Sequence, residues 1–198
     1  YEHAAHPSAS WHDAPPYSIL DPFRKIAREH DSLIIGSIRD GCRNYGFCLD
    51  SVGLELRAKI HPFGPEKEHF DGAPFISPAA TKYGMVGLEV CYDLRFPEVA
   101  RSLALQGADF LVTVAQFPQA RLAQWRVLCI ARAIENQLPH VACNFAGGGG
   151  SLIIGARGEV LAEAGPNEDL IVGEVDLAGR DEVRREIPCF ADRRPEVY

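Results

Sequence analysis

Short apolar runs of strand length alternate along this chain with stretches of helical period, and hairpin-like pairs interrupt the alternation. That pattern restricts the fold to the α/β class with mixed sheets. Residues 19–30 (ILDPFRKIAREH) set Ile19, Phe23, Ile26 and Ala27 on one helical face, and residues 32–38 (SLIIGSI) read as a buried strand. Residues 44–60 (NYGFCLDSVGLELRAKI) give two strands around a turn at 50–53, with Lys59 at or near the end of the second. A loop rich in proline, glycine and charge runs from 61 to 78. Residues 83–91 (YGMVGLEVC) then predict a strand, 97–107 (PEVARSLALQG) a helix opened by Pro97 and closed by Gly107, and 109–115 (DFLVTVA) another strand. A long amphipathic helix over 120–137 precedes a strand at 140–146, a hairpin over 151–165 with its turn near 156–158, and a last strand at 171–177 (IVGEVDL). The charged tail from Ala178 reads as a surface cover. No internal repeat or low-complexity linker breaks the chain, so one domain over residues 1–198 is expected.

The net charge of -7 comes from interspersed acids with no long basic block, which argues against nucleic acid or an anionic membrane as partner. No apolar run has the length of a membrane span, and the start, YEHAAHPSASWHD, lacks the pattern of a signal peptide. A cytoplasmic protein with a small-molecule partner is the expectation. The cysteines, Cys42, Cys48, Cys91, Cys129, Cys143 and Cys189, form no CxxC pair, which excludes a zinc ribbon and a thioredoxin-type site and favours reduced thiols. Cys129 and Cys143, embedded in apolar stretches, read as small buried hydrophobes.

Cys91 differs because it stands where a strand ends and a helix is about to begin. Such a junction exposes a side chain at the carboxyl edge of a sheet and leaves backbone N–H groups of the next turn unpaired nearby. A thiol there can attack, and the N–H groups can hold the oxyanion that forms. The plainer reading, that Cys91 simply ends a buried strand, is the one that composition alone favours.

The wider context decides between them. GLEVCYDLRFPEVAR resembles the nucleophile segment of the nitrilase superfamily, the carbon–nitrogen hydrolases, and RAKIHPFGPEKEHF resembles its lysine segment. AQWRVLCIARAIENQLPHVACN and IPCFADRRPEVY also resemble counterparts in the branch containing omega-amidase-like enzymes, so the likeness runs from about Ile19 to Tyr198 in four ordered motifs. It implies a four-layer αββα sandwich with mixed β-sheets and a Cys, Lys and Glu triad. Cys91 matches the nucleophile and Lys59 the catalytic lysine, whose ammonium would favour a thiolate and help hold an anionic intermediate. Taken alone, Lys59 is also an ordinary solvated lysine at a strand end. Glu66 matches a second glutamate that orients the lysine and substrate, with Glu68 as a rival and a solvated loop acid as the plain alternative. The backbone N–H of Tyr92 matches the oxyanion hole. Arg95 and Phe117 match substrate-facing positions, Arg95 as the partner of a carboxylate, with a structural pair to Asp93 or Glu98 as its alternative. Arg132, Glu135 and Asn136 also match, with the task of fixing their helix against the sheet.

Two departures stand out. The general-base glutamate, which the family carries after an initial strand and helix, has only Glu2 as a weak candidate, and Tyr1 better matches a tyrosine just beyond that glutamate. An absent amino-terminal strand, helix and strand is therefore expected. CNFAGGGGSLII is also shorter than its counterparts, as if a loop were missing. The implied activity is hydrolysis of a small amide through an acyl-thioester on Cys91, with no metal or organic cofactor, in a homodimer or larger homo-oligomer. A nitrile, carbamoyl or acyl-transfer enzyme of the same fold, or an inactive binding protein, are the alternatives.

Overall fold

A computed structural model describes residues 15–197. Two sheets face each other and helices cover their outer sides, which is the expected αββα order. The first sheet is antiparallel and holds β1 (Ile34–Asp40), β2 (Arg43–Leu49) and β3 (Leu54–Ala58) in that order. The second holds β4 (Ala79–Thr81), β5 (Gly84–Val90), β6 (Phe110–Ala115), β7 (His140–Asn144), β8 (Leu152–Ile154) and β9 (Val160–Glu163). Its central strands β5, β6 and β7 are parallel, and antiparallel strands flank them. Helix α1 (Asp21–Glu29) packs against β2, while α2 (Pro97–Leu105) and α3 (Leu122–Asn136) cover the second sheet.

Local chemistry explains most of these boundaries. The Asp50 carboxylate accepts the N–H groups of Val52 and Gly53 and so closes the turn between β2 and β3. Pro97 opens α2 at its first turn, and Gly107, at a φ of +90°, ends the connection that follows. Parallel neighbours require crossovers, and α2 and α3 supply them. Both return the chain the same way, so the carboxyl ends of β5, β6 and β7 lie side by side. At Gly46 the sheets come so close that a Cβ would sit 2.6 Å from the Leu88 side chain. Cys48, Ala79, Val86, Leu88 and Val112 fill the space between the sheets.

Two expectations need correction, and the tail gains a detail. Leu20 and Ala27 are the buried residues of the first helical segment, whereas Ile19, Phe23 and Ile26 are exposed. The 3₁₀ turn Ser18–Leu20 shifts the phase of the residues before Asp21, so the face that meets β2 is not the one counted from Ile19. Residues 171–177 form no strand, because no described strand supplies a ladder, and Val172 remains 84% exposed. The tail contains a helix, α4 (Gly179–Glu186), which buries Val183 and pairs Arg180 with Asp109.

Candidate active site

The strand β5 ends at Val90, and the backbone turns at Cys91 with a φ of +53°. This left-handed conformation costs a non-glycine residue about 1–2 kcal/mol, so neighbouring contacts must hold it. Cys91–Arg95 form a 3₁₀ helix, within which Leu94 is fully buried. From α3, Arg132 donates through Nε and Nη2 to the Leu94 carbonyl at 3.0 and 2.8 Å.

Asp93 ties this turn to the end of β3. Its buried carboxylate accepts the N–H groups of Val90 (3.3 Å), Ile60 (3.2 Å) and His61 (2.8 Å), and contacts His61 Nδ1 at 3.0 Å. The His61 ring in turn stacks on Phe96 at 3.6 Å. Lys59, the residue just before this anchor, is therefore fixed relative to Cys91. Burial pushes the Asp93 carboxyl above its ordinary range in spite of these donors.

Lys59 is only 3% exposed, which sets it apart from a solvated strand-end lysine. Its Nζ donates to Glu66 Oε2 at 2.5 Å, and the same oxygen accepts the Phe63 N–H at 2.8 Å. Glu66 reaches both groups because Gly64–Glu68 form a short 3₁₀ helix that turns the loop back over the strand end. Glu68, two residues on, is exposed and makes no ion pair among the described residues.

Lys59, Glu66 and Cys91 line one cavity of about 330 Å³, together with Gln116, Cys143 and Asn144. Glu66 is the one carboxylate lining it among the described residues. Burial raises the Cys91 thiol above its usual range, outweighing the Gln116 backbone N–H and the Lys59 charge, which both act to lower it. The lysine thus acts in the expected direction but does not by itself create a resting thiolate. On the other side of Cys91 a narrower space is bounded by Phe63, Tyr92, Arg95, Phe117 and Arg121.

The remaining sequence candidates fall around these two spaces. Tyr92 is the second residue of the 3₁₀ helix, so its N–H has no acceptor within that helix. Arg95 makes no ion pair with Asp93 or Glu98. Its Nη2 donates to Gln124 Oε1 at 3.0 Å and its guanidinium lies 5.2 Å from the centre of the Phe117 ring. Phe117 is buried, and Asn144 holds its backbone on both sides, at 2.7 and 3.0 Å. Cys129 is buried as expected, but Cys143 is exposed. The first sheet packs over β5 and β6 through β2 and β1, and at the end of β7 Cys143 lines the cavity. Glu2 and Tyr1 lie outside the described residues. Among the described residues no group of acidic, histidine or cysteine side chains could hold a metal ion, and no helix is long and apolar enough to cross a membrane.

Gln116 and Asn144 were not singled out from the sequence, and Asp93 was weighed only as a partner of Arg95. Asp93 carried a signal nonetheless, since an acid two residues after an apolar strand can cap the turn that follows.

Comparisons with known proteins show the family and the fold. The carbon-nitrogen hydrolase family model matches residues 1–185. A 2-oxoglutaramate amidase of Bacillus subtilis is 46% identical over 196 residues, covering 88% of this chain and 74% of the relative. Saccharomyces cerevisiae Nit3, a member of branch 10 of the nitrilase superfamily, superposes with a TM-score of 0.82 at 26% identity, over 92% of this chain and 73% of Nit3. A mutant of the amidase from Nesterenkonia sp. AN1 superposes with a TM-score of 0.71 at 26% identity, over 89% of this chain and 70% of that one. Its structure carries the acetamide moiety of fluoroacetamide on the active-site cysteine.

Proposed function

The chain belongs to the carbon–nitrogen hydrolase family, and from that premise we propose that it hydrolyses a small amide through an acyl-thioester on Cys91. The observation that carries the proposal is the convergence of a conformationally constrained cysteine and a buried lysine–glutamate pair on one cavity. In this reading the sulfur of Cys91 attacks the amide carbon, and the thiol proton passes to a carboxylate base. The tetrahedral oxyanion is held by the Tyr92 N–H and the Lys59 ammonium. The carbon–nitrogen bond then breaks, the nitrogen takes the proton and leaves as ammonia or an amine, and water hydrolyses the thioester.

Glu66 orients Lys59 toward the reacting carbonyl. The base is the glutamate that the family carries upstream of the described residues. Because burial keeps Cys91 protonated at rest, its proton must be removed as attack occurs. Arg95, backed by Phe117, binds a carboxylate at the far end of the substrate. A short dicarboxylic acid monoamide meets these demands, and the Bacillus relative is named for 2-oxoglutaramate, a compound of that class. The protein acts as a single catalytic domain without metal or organic cofactor, in the cytoplasm, as a homodimer or larger homo-oligomer. Ammonia release from a panel of dicarboxylic monoamides, neutral amides and N-carbamoyl amino acids tests the assignment. Turnover of the monoamides, lost in Cys91→Ala, is the expected result; turnover of carbamoyl substrates alone would move the enzyme to another reaction class.

A further inference from the structure

A buried hydrogen-bonded chain runs beneath the nucleophile turn, and none of its members lines the cavity. Glu89 stands in β5 two residues before Cys91, and it is fully buried, as are Thr113 in β6 and His140 in β7. The Thr113 hydroxyl lies 3.1 Å from Glu89 Oε2 and 2.8 Å from His140 Nε2, while His140 Nδ1 lies 3.0 Å from the Cys129 carbonyl oxygen.

The direction of these bonds follows from the histidine end. A carbonyl oxygen only accepts, so His140 Nδ1 carries a hydrogen toward Cys129. Burial keeps the ring neutral, pushing its pKa down to about 4, and Nε2 is then an acceptor. Thr113 has one hydroxyl hydrogen, and it goes to Nε2. The 3.1 Å contact with Glu89 must therefore be bridged by a hydrogen from Glu89 itself, which makes that side chain a carboxylic acid. The reverse order would need a cationic imidazole in a site where Arg132 already opposes positive charge. Burial favours the same answer, raising Glu89 to about 8. Glu89 Oε1 has no hydrogen-bond partner, which a neutral acid tolerates far better than a carboxylate does.

Thr113 from β6, Cys129, Arg132 and Glu135 from α3 and Asp93 from the turn are the groups that face Glu89, alongside His140 at the chain's end. Arg132 is the cation among them, and it is engaged with the Leu94 carbonyl and with Glu135. An ionised Glu89 would draw that guanidinium away from Leu94. We propose that Glu89 is a positioning residue for Cys91: as the neutral acid at the head of the Thr113–His140 chain, it leaves Arg132 to clamp the turn that carries the nucleophile. Its loss of a proton in alkaline solution releases the clamp. The proposal rests on Cys91 being the nucleophile.

Infrared difference spectroscopy and a pH–rate profile test it together. Wild type minus Glu89→Gln should show a protonated carboxyl band that shifts in heavy water and fades as pH rises through about 8. Wild-type kcat/KM should fall about tenfold per pH unit above the same midpoint. Glu89→Gln, whose amide donates to Thr113 at any pH, should hold its own neutral-pH rate through that range. Absence of the band, or an alkaline fall in Glu89→Gln that matches wild type, overturns the proposal. The band needs no substrate, so an intact band with no amide turnover would refute the hydrolase reading instead. If Glu89→Gln does not fold, Thr113→Val removes the acceptor of the Glu89 proton, and it must move the band and the alkaline midpoint together. A midpoint that ignores this change also overturns the proposal.

Discussion

Replacing Asp93 by asparagine tests how the lysine segment is tied to the nucleophile turn. The carboxylate serves two pairs of donors: the His61 N–H and ring nitrogen on Oδ1, and the Ile60 and Val90 N–H groups on Oδ2. Asparagine keeps one oxygen. In its better orientation that oxygen stays with His61, and the amide nitrogen faces two buried N–H groups. Each donor left without an acceptor costs about 1–3 kcal/mol, and both of these bonds are long, so the low end applies. Part of the loss is offset, because burial already penalises the charged carboxyl. A net destabilisation of about 1–2 kcal/mol is expected, read as a lower urea midpoint at unchanged slope. Since the tie sets the distance between Lys59 and Cys91, kcat/KM should fall by about 100-fold, the scale of a 1 Å misplacement. A variant within about 0.5 kcal/mol and twofold of wild type would refute the reasoning.

Other perturbations separate the remaining roles. Lys59→Met keeps the apolar stem but removes the charge; it should slow turnover by about 100-fold or more and shift Cys91 alkylation to higher pH. An unchanged alkylation profile would remove Lys59 from the site. Arg95→Leu should impair a dicarboxylic monoamide by about 2 kcal/mol or more relative to a neutral amide of equal length, measured as kcat/KM, and equal losses would reject carboxylate binding by Arg95. Glu89 also predicts a pH dependence of stability. Its pKa is raised by burial from 4.5 to about 8, so its contribution is full below about pH 4.5 and is lost as pH rises toward 8. Wild-type stability relative to Glu89→Gln should therefore fall by about 3 kcal/mol between pH 5 and 8, and a flat difference would contradict a neutral Glu89.

The alternation of period placed every major strand and helix around the site, because Pro97, Gly107 and the Asp50 turn act locally and leave their mark in sequence. Tertiary partners decided what the period could not. The pattern IVGEVDL is strand-like, yet a strand exists only where a neighbour offers a ladder. Cys143 sits in an apolar run, yet its exposure depends on how far the first sheet extends over β7. The contest between Glu66 and Glu68 for Lys59 was likewise a matter of loop path, which spacing of two residues does not encode. Glu89, an acid inside the run GLEVC, was not singled out from the sequence, and its protonation follows only from the donor order along Thr113 and His140.

Intact-mass spectrometry on rapidly quenched enzyme and a dicarboxylic monoamide tests the central claim most directly. The thioester mechanism predicts a transient gain equal to the substrate less ammonia, mapped by proteolysis to Cys91 and absent from Cys91→Ala. An adduct on any other residue, or Cys91→Ala turning over at the wild-type rate, would contradict it.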